Sequence, residues 1–531
     1  YIKMVAIKVL VTDPIAHEGV EILEEAGITV EEHIGLSPDE LKEVVRDADG
    51  LVIRSGTKVT KELIDAAPKL KVVGRAGTGL DNVDIPACNK RGIVVMNTPG
   101  GNTNSAAEHT IAMMLALTRH IPQATASLKS GKWEKKKFQG REVAGKTLGI
   151  IGIGRIGSIV AQLARGLKMR VIAFDPHIRP EAAEQIGVEL RDLDTLLSEA
   201  DYISIHTPLT KETKGLINKE LIDKMKPGAM LINCARGGIV NEKDLYDALK
   251  SGKLAGAALD VFETEPPGDN PLFELNNFIC TPHLGASTRE AQENVAVAVA
   301  RQIADYLTKG IVKNAVNVPS VSSEVLAQLG PFLHLAEKIG SFQAQIAKGP
   351  VEEVQIEYQG DVAELDVAPV TVSILKGLLA PILKEDVNFV NAPILAEERG
   401  IKVSISKSKT AKDFTNLLTV TVKTTEDSNT ISGTIFGKKE PRLVRINNFR
   451  LEAVPQGHML LIYNEDRPGV IGRIGTTLGE QNINIARMQV GQDEGHHRNV
   501  ILLTTDEPVT DETLELLKKQ DGVTQALALE L

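Results

Sequence analysis

Leu148-Gly-Ile-Ile-Gly152-Ile-Gly154-Arg155-Ile156-Gly157 is the stretch on which the reading of this chain turns. A short aliphatic run enters three spaced glycines, and Ser158 to Leu167 then carries a helical pattern. Gly152 makes the tight turn, Gly154 lets a pyrophosphate approach the backbone, and Gly157 lets helix and strand pack closely. The free N–H groups at the helix start then face the phosphate charge. The glycines alone are a weak signal. Here the next strand, Val171-Ile-Ala-Phe, ends in Asp175, placed to accept hydrogen bonds from an adenosine ribose. A carboxylate there repels a 2′-phosphate, so the expected cofactor is NAD rather than NADP.

Toward the N-terminus, Ile7-Lys-Val-Leu-Val-Thr, the helical stretch His17 to Ala26, Gly50-Leu-Val-Ile-Arg and Leu70-Lys-Val-Val-Gly alternate strand and helix. That alternation signals a parallel α/β sheet. Small apolar residues from about Gly100 to Leu117 read as a long helix leaving the unit. A second alternating region runs from Thr147 to about Pro282. A helix through Glu290, Val295 and Ile303 is expected to return to the first unit. Past Pro319 the texture changes to a helix around Leu326 to Ala347 and alternating strands such as Val354-Gln-Ile-Glu-Tyr and Thr419-Val-Thr-Val. From Gly457 the order strand, helix, strand, strand, helix, strand is the ferredoxin-like split pattern. The expected class is α/β: two doubly wound parallel-sheet domains, then an α+β domain, then a ferredoxin-like one. Expected boundaries are 4–99 with 286–319 for a substrate domain, 100–285 for a Rossmann-type NAD domain, 320–454 and 455–531. Met4 is a candidate natural start.

The composition supports this and excludes other classes. With 531 residues the chain needs several cores, and aromatics make up only 3%, which suits aliphatic parallel strands. A net charge of -10 argues against a nucleic-acid partner, which would demand a basic face. Cys88, Cys234 and Cys280 have neither metal-ligand nor disulfide spacing, which fits a reducing cytoplasm and no metal site. No apolar run approaches membrane-span length.

Ligands of open α/β sheets bind at the carboxyl ends of strands. Ala229-Met-Leu-Ile-Asn-Cys-Ala ends at Arg236, Gly256-Ala-Ala-Leu-Asp260-Val leads to Glu265, and Phe278-Ile-Cys-Thr-Pro leads to His283. Oxidising a hydroxyl needs a base for the O–H proton, work that suits a neutral imidazole. A carboxylate on the other ring nitrogen would fix its tautomer. A guanidinium can hold a substrate carboxylate. His283, Glu265 and Arg236 take these roles. Each alone has a bland reading, as a surface histidine, a solvated acid and a loop cation.

Gly152 to Gly157, Asn233-Cys-Ala-Arg-Gly-Gly, Asp260-Val-Phe-Glu-Thr-Glu-Pro and Thr281-Pro-His-Leu-Gly together resemble the D-isomer-specific 2-hydroxyacid dehydrogenase family, over residues 5 to 318. The resemblance implies the same catalytic roles and a cleft between two α/β domains. It also implies cofactor contacts from Arg155, Ile156, His206, Thr207, Pro208, Thr213, Cys234, Ala235, Asp260 and Gly285.

Basic loops bear on the hydroxy acid. Arg54-Ser55-Gly56 and Arg75 lie beside glycine-rich turns suited to anions, and Asn102 lies near them. Lys135, in Trp133-Glu-Lys-Lys-Lys-Phe, reads equally well as surface basicity. A substrate with both carboxylate and phosphate would occupy more cations than Arg236 alone. Asn464-Glu-Asp466-Arg-Pro-Gly and Gln481-Asn-Ile-Asn484 resemble the ACT domain, and residues 320 to 454 the intervening domain of the long-form phosphoglycerate dehydrogenases. This resemblance implies oxidation of 3-phosphoglycerate to 3-phosphohydroxypyruvate at the entry to serine biosynthesis. It further implies L-serine as an effector on Asn464, Asp466 and Asn484, and a homo-oligomer, with a tetramer favoured. Asp-Arg-Pro-Gly is also simply a good strand-to-helix turn. Two other functions compete: a glyoxylate or hydroxypyruvate reductase, and an NAD(H)-sensing binding protein on the same fold.

Overall fold

Short aliphatic strands buried on both faces build the first two sheets, as parallel pairing with helices on each side requires. The computed structural model describes residues 7–319, 323–383, 387–411, 413–437, 439–493 and 498–531. The candidate start at Met4 lies outside them. The first sheet runs Thr29–Glu32, Lys8–Val11, Gly50–Ile53, Val72–Arg75, Val94–Met96, all parallel. Its edge strand Thr29–Glu32 has no apolar run and little signal in the sequence.

The second sheet has seven parallel strands in the order Phe278–Cys280, Leu254–Leu259, Ala229–Asn233, Tyr202–Ile205, Thr147–Ile151, Arg170–Phe174, Glu189–Leu190. Strand order reverses between Thr147–Ile151 and Tyr202–Ile205, which opens a crevice at their carboxyl ends. The helix Arg155–Gly166 covers this point and buries Gly157, Val160, Ala161 and Ala164, one face at helical spacing. The helix Thr103–Thr118 leads from the first sheet to the second. The helix Arg289–Lys309, capped by the Thr288 side chain and ended by left-handed Gly310, returns to the first sheet. There Val295, Val299, Ala300 and Ile303 join the core of Val9, Val52 and Val72.

The third sheet is mixed, in the order Lys402–Ser408, Val351–Gly360, Asn416–Thr424, Ser428–Phe436, Glu440–Ile446, Phe449–Ala453. The helices Ser323–Ile346 and Ala368–Leu383 pack on it. The second helix is apolar nearly all round, so it lacks the periodicity that would announce it in the sequence. The last sheet is antiparallel, in the order Ile485–Gln492, Arg498–Thr505, His458–Glu465, Val523–Glu530, with helices Val470–Glu480 and Asp511–Lys518: the ferredoxin-like arrangement. Its two faces differ. Leu460, Ile462 and Leu503 pack under its own helices, whereas Met459, Leu461, Val500, Leu502 and Leu529 join the core of the third sheet. Gln345 clips the two together, donating to Glu530 O and accepting from Glu530 N, both at 2.9 Å. Among the described residues no helix is long and apolar enough to cross a membrane.

Candidate active site

The carboxyl ends of the two parallel sheets face one cleft of about 540 Å³. From the first sheet come Arg54, Ser55, Gly56 and Arg75, with Asn102 at the start of the linking helix. From the second come Ile156, His206, Thr207, Pro208, Cys234, Ala235, Arg236, Asp260, Glu265, His283 and Gly285. The structure therefore brings together most of the residues singled out above. Lys135 is not among them. It lies exposed on the short 3₁₀ turn Lys135–Phe138.

At the reactive end, His283 Nδ1 lies 2.8 Å from Glu265 Oε2, and Glu265 Oε1 accepts the Phe262 N–H at 3.1 Å. Burial works against the Glu265 charge, but His283 and the Phe262 N–H hold its carboxyl below the usual range. With Nδ1 engaged by Glu265, Nε2 is the ring nitrogen that does not meet this carboxylate. Arg236 is fixed from both sides of the cleft: Nη1 donates to Ala235 O at 2.7 Å, and Nε donates to Asp81 Oδ2 at 3.1 Å. Gly79 makes room for this, since a Cβ there would fall 2.1 Å from Arg236 Nη2.

Arg54, Arg75 and Arg236 crowd one wall. Burial, and then the nearby Arg236 charge, push the Arg75 pKa down to about 10. The Arg75 Nε is buried with no hydrogen-bond partner. A desolvated guanidinium with an unused donor marks a place for an anion. Asp13 shapes the neighbouring loop, its Oδ2 accepting the N–H groups of Arg54 at 2.6 Å and Thr57 at 3.0 Å.

The other end of the cleft is shaped for a dinucleotide. Gly152 has φ +93°, which disfavours any side chain. A Cβ on Gly157 would lie 2.2 Å from Gly152 O, while the space beside Gly154 is open. Asp175 stands at the next strand end, accepting Ile153 N–H at 2.9 Å and His177 N–H at 2.8 Å, which aims its carboxylate over the glycine turn. Arg155 is exposed at the helix start. Thr213 ties the His206-Thr-Pro208 turn by donating to Pro208 O at 2.6 Å. His206 lies 2.8 Å from Ser204 Oγ, and burial pushes its pKa down to about 4, so its ring stays neutral.

In the last sheet, Asn464 and Asn499 are register partners and both are buried. Asn499 Nδ2 donates to Asp466 Oδ1 at 2.9 Å, and the Oδ1 atoms of both asparagines are buried without partners. Asn484 lies elsewhere. Its neighbour Ile485 pairs with Thr505, six residues along the strand from Asn499, which is about 20 Å at a strand rise of about 3.4 Å per residue.

Comparison with known proteins agrees with this geometry. Residues 111–285 match the family model of the D-isomer specific 2-hydroxyacid dehydrogenase NAD binding domain. Residues 328–447 match the D-3-phosphoglycerate dehydrogenase intervening domain, and 458–522 the ACT domain. A D-3-phosphoglycerate dehydrogenase of Archaeoglobus fulgidus is 48% identical over 528 residues, covering 99% of this chain and 100% of that protein. The chain belongs to the D-3-phosphoglycerate dehydrogenase family. Its Bacillus subtilis relative of that name is 44% identical, over 99% of each chain. A crystal structure of a 3-phosphoglycerate dehydrogenase with bound NAD+, from Entamoeba histolytica, is 38% identical with a TM-score of 0.51, covering 59% of this chain and 99% of that one.

The chain is thus an NAD-dependent D-2-hydroxyacid dehydrogenase, and the glycine turn, the open space at Gly154 and Asp175 fit NAD. Asp13, Asp81 and Asn499 stand at these sites, and sequence reasoning passed over them. The first two follow a strand end and a glycine-rich turn, a signal that was there to be used. Asn499 has no local signal at all.

Proposed function

We propose that this chain oxidises 3-phospho-D-glycerate to 3-phosphohydroxypyruvate with NAD, the entry step of serine biosynthesis. The three-guanidinium wall that ends on the His283–Glu265 pair carries this reading. A 2-hydroxy acid with one carboxylate needs one clamp. A phosphorylated one accounts for Arg54 and the orphan donor of Arg75 as well. The A. fulgidus and B. subtilis relatives bear the name of that activity over nearly the whole chain. This weighs against a glyoxylate reductase or an NAD(H)-sensing protein.

Bound NAD supplies the hydride acceptor. Arg236 grips the substrate carboxylate while Asp81 and Ala235 O hold its guanidinium in place. That sets the C2 hydroxyl against His283 Nε2, which takes the proton. Glu265 holds the Nδ1 proton and offsets the positive charge that forms on the ring. Arg54, Ser55, Gly56, Arg75 and Asn102 receive the rest of the substrate. Gly152, Gly154, Arg155, Ile156, Gly157 and Asp175 seat the pyrophosphate and adenosine. His206, Thr207, Pro208, Thr213, Cys234, Ala235, Asp260 and Gly285 line the nicotinamide end. Residues 4–99 with 286–319 then form the substrate domain, 100–285 the NAD domain, 320–454 the intervening domain and 455–531 the regulatory one.

The C-terminal sheet serves L-serine feedback, on Asn464 and Asp466 of one chain and Asn484 of another. The separation of these groups within one chain supports a site shared between copies. A homotetramer accommodates this, with a second contact through the helix Ile121–Lys129, which buries none of its residues, and Trp133, 82% exposed. Lys135 stands beside that patch, so its part in substrate binding would be played in a neighbouring cleft. Three unpaired cysteines suit a cytoplasmic enzyme. The test is NADH turnover in both directions on 3-phosphoglycerate, D-glycerate and 2-hydroxyglutarate, with and without L-serine. Preference for the phosphorylated acid supports the reading, and preference for glycerate turns it toward the reductase.

A further inference from the structure

The loop that carries His283 is held more firmly than proton transfer alone requires. His283 has φ +55°, a left-handed backbone that few residues with a side chain adopt. Its N–H donates to Asp260 O at 2.9 Å. The Asp260 carboxylate is fully buried and collects three further donors from the same loop: Thr281 Oγ1 at 2.5 Å, Leu284 N at 2.7 Å and Gly285 N at 2.8 Å. One residue therefore pins the loop on both sides of the strained histidine.

A second histidine completes this clamp from outside the cleft. His109 Nε2 lies 3.2 Å from Asp260 Oδ1 and 3.0 Å from Thr281 Oγ1. Burial tends to raise the Asp260 pKa, yet His109, Thr281 and the two N–H groups hold it below the usual range. His109 belongs to the linking helix Thr103–Thr118, where Ser105, His109 and Met113 share a face. Ser105 Oγ donates to Gly285 O at 2.8 Å, and Thr281 Oγ1 reaches Met113 Sδ at 3.9 Å. The helix thus grips the loop at Thr281 and at Gly285, with His283 between them. Its first turn follows Asn102, which lines the cleft and accepts from Thr78 Oγ1 at 3.0 Å.

We infer that His109 is a positioning residue for His283, acting through Asp260 and Thr281 and joining the placement of the imidazole to the helix that links the two lobes. This rests on the reading of His283 as the acid/base. The clamp matters because a misplacement of about 1 Å at a reacting group slows turnover by roughly 100-fold.

Three variants of the full chain test it in steady-state oxidation of 3-phosphoglycerate by NAD: His109→Leu, His109→Gln and His283→Ala. His109→Leu is expected to lower kcat about 10- to 100-fold with the KM for 3-phosphoglycerate within about twofold of the parent, because the residue touches neither the substrate nor its cations. His109→Gln, whose amide can donate where Nε2 does, should recover to within about threefold of the parent. A His109→Leu enzyme with parental kcat overturns the inference, and so does a His109→Gln enzyme as slow as His109→Leu. Parental turnover in His283→Ala would strike down the acid/base reading itself. An inactive His283→Ala beside a fully active His109→Leu would strike down only the positioning role.

Discussion

The cleft between the parallel sheets and the asparagines of the last sheet are both built at strand ends, yet only the cleft brings its groups together within one chain. Arg236, Glu265 and His283 come from three successive strand exits and face the same space. Asn464 and Asp466 lie at one end of the antiparallel sheet and Asn484 at the other. Parallel strands put all their carboxyl ends on one side, so consecutive exits converge. Asn464 and Asp466 sit at the exit of His458–Glu465, whereas Asn484 sits at the entry of Ile485–Gln492, a strand that runs parallel to it after a helical crossover, so a site that uses both calls for a second copy. The proton-transfer groups are therefore complete in a single chain, while a switch built from these asparagines would be an assembly property.

The comparison can be broken at several points. On the catalytic side, Arg236→Gln should reduce kcat/KM for 3-phosphoglycerate by about 1,000-fold, the loss of a charge-assisted clamp in a desolvated cleft. Steady-state kinetics with retained NAD affinity would confirm it, and a loss below about tenfold would remove Arg236 from the clamp. On the regulatory side, Asn464→Ala and Asn484→Ala should each raise the serine concentration needed for half inhibition at least about tenfold. Co-expressed as mixed oligomers, the two variants should regain part of the response, because one shared site in each pair keeps both asparagines. A mixture as insensitive as either variant alone would mean that the groups do not meet across chains.

Two smaller effects sharpen the cofactor end. Asp175→Ala should narrow the preference for NAD over NADP by about tenfold or more, measured as the ratio of kcat/KM values, through loss of the ribose contact and of the repulsion of a 2′-phosphate. An unchanged ratio would count against that role. His206 is neutral in the folded chain down to about pH 4, whereas an unfolded histidine takes up its proton near the ordinary value of 6.5. Between those limits the unfolded state binds more protons, so stability falls as pH drops, by about 1.4 kcal/mol per unit from this group. Denaturant unfolding of His206→Asn between pH 6.5 and pH 4 should show a flatter decline than the parent.

Much of this was legible in the sequence, and the limits have physical causes. The glycine turn, Asp175 and the strand-exit residues are local features whose spacing encodes their geometry. The two doubly wound sheets and the ferredoxin-like end follow from periodicity and element order. The roles of Asp13 and Asp81 arise instead when segments meet across 41 and 155 residues, and no local pattern records that meeting. His109 sits in a small-residue helix that looks structural throughout, and its partners Thr281 and Asp260 are fixed only by the crossing of that helix over the second sheet. Lys135 shows the reverse case. A basic run looks like an anion site, but Lys135 is exposed on its short turn and is not among the residues that line the cleft. Asn464 and Asn484 are close in sequence, and the helical crossover between their parallel strands parts them.

The most direct test of the account is the pH dependence of 3-phosphoglycerate oxidation by NAD in the parent chain and in His283→Ala. The parent rate should depend on pH, because proton removal from the substrate hydroxyl passes through the imidazole. The variant should be slower by at least about 1,000-fold and lack that dependence. A variant that turns over at the parental rate with the same profile would contradict the account, because the proton would then be leaving through another group.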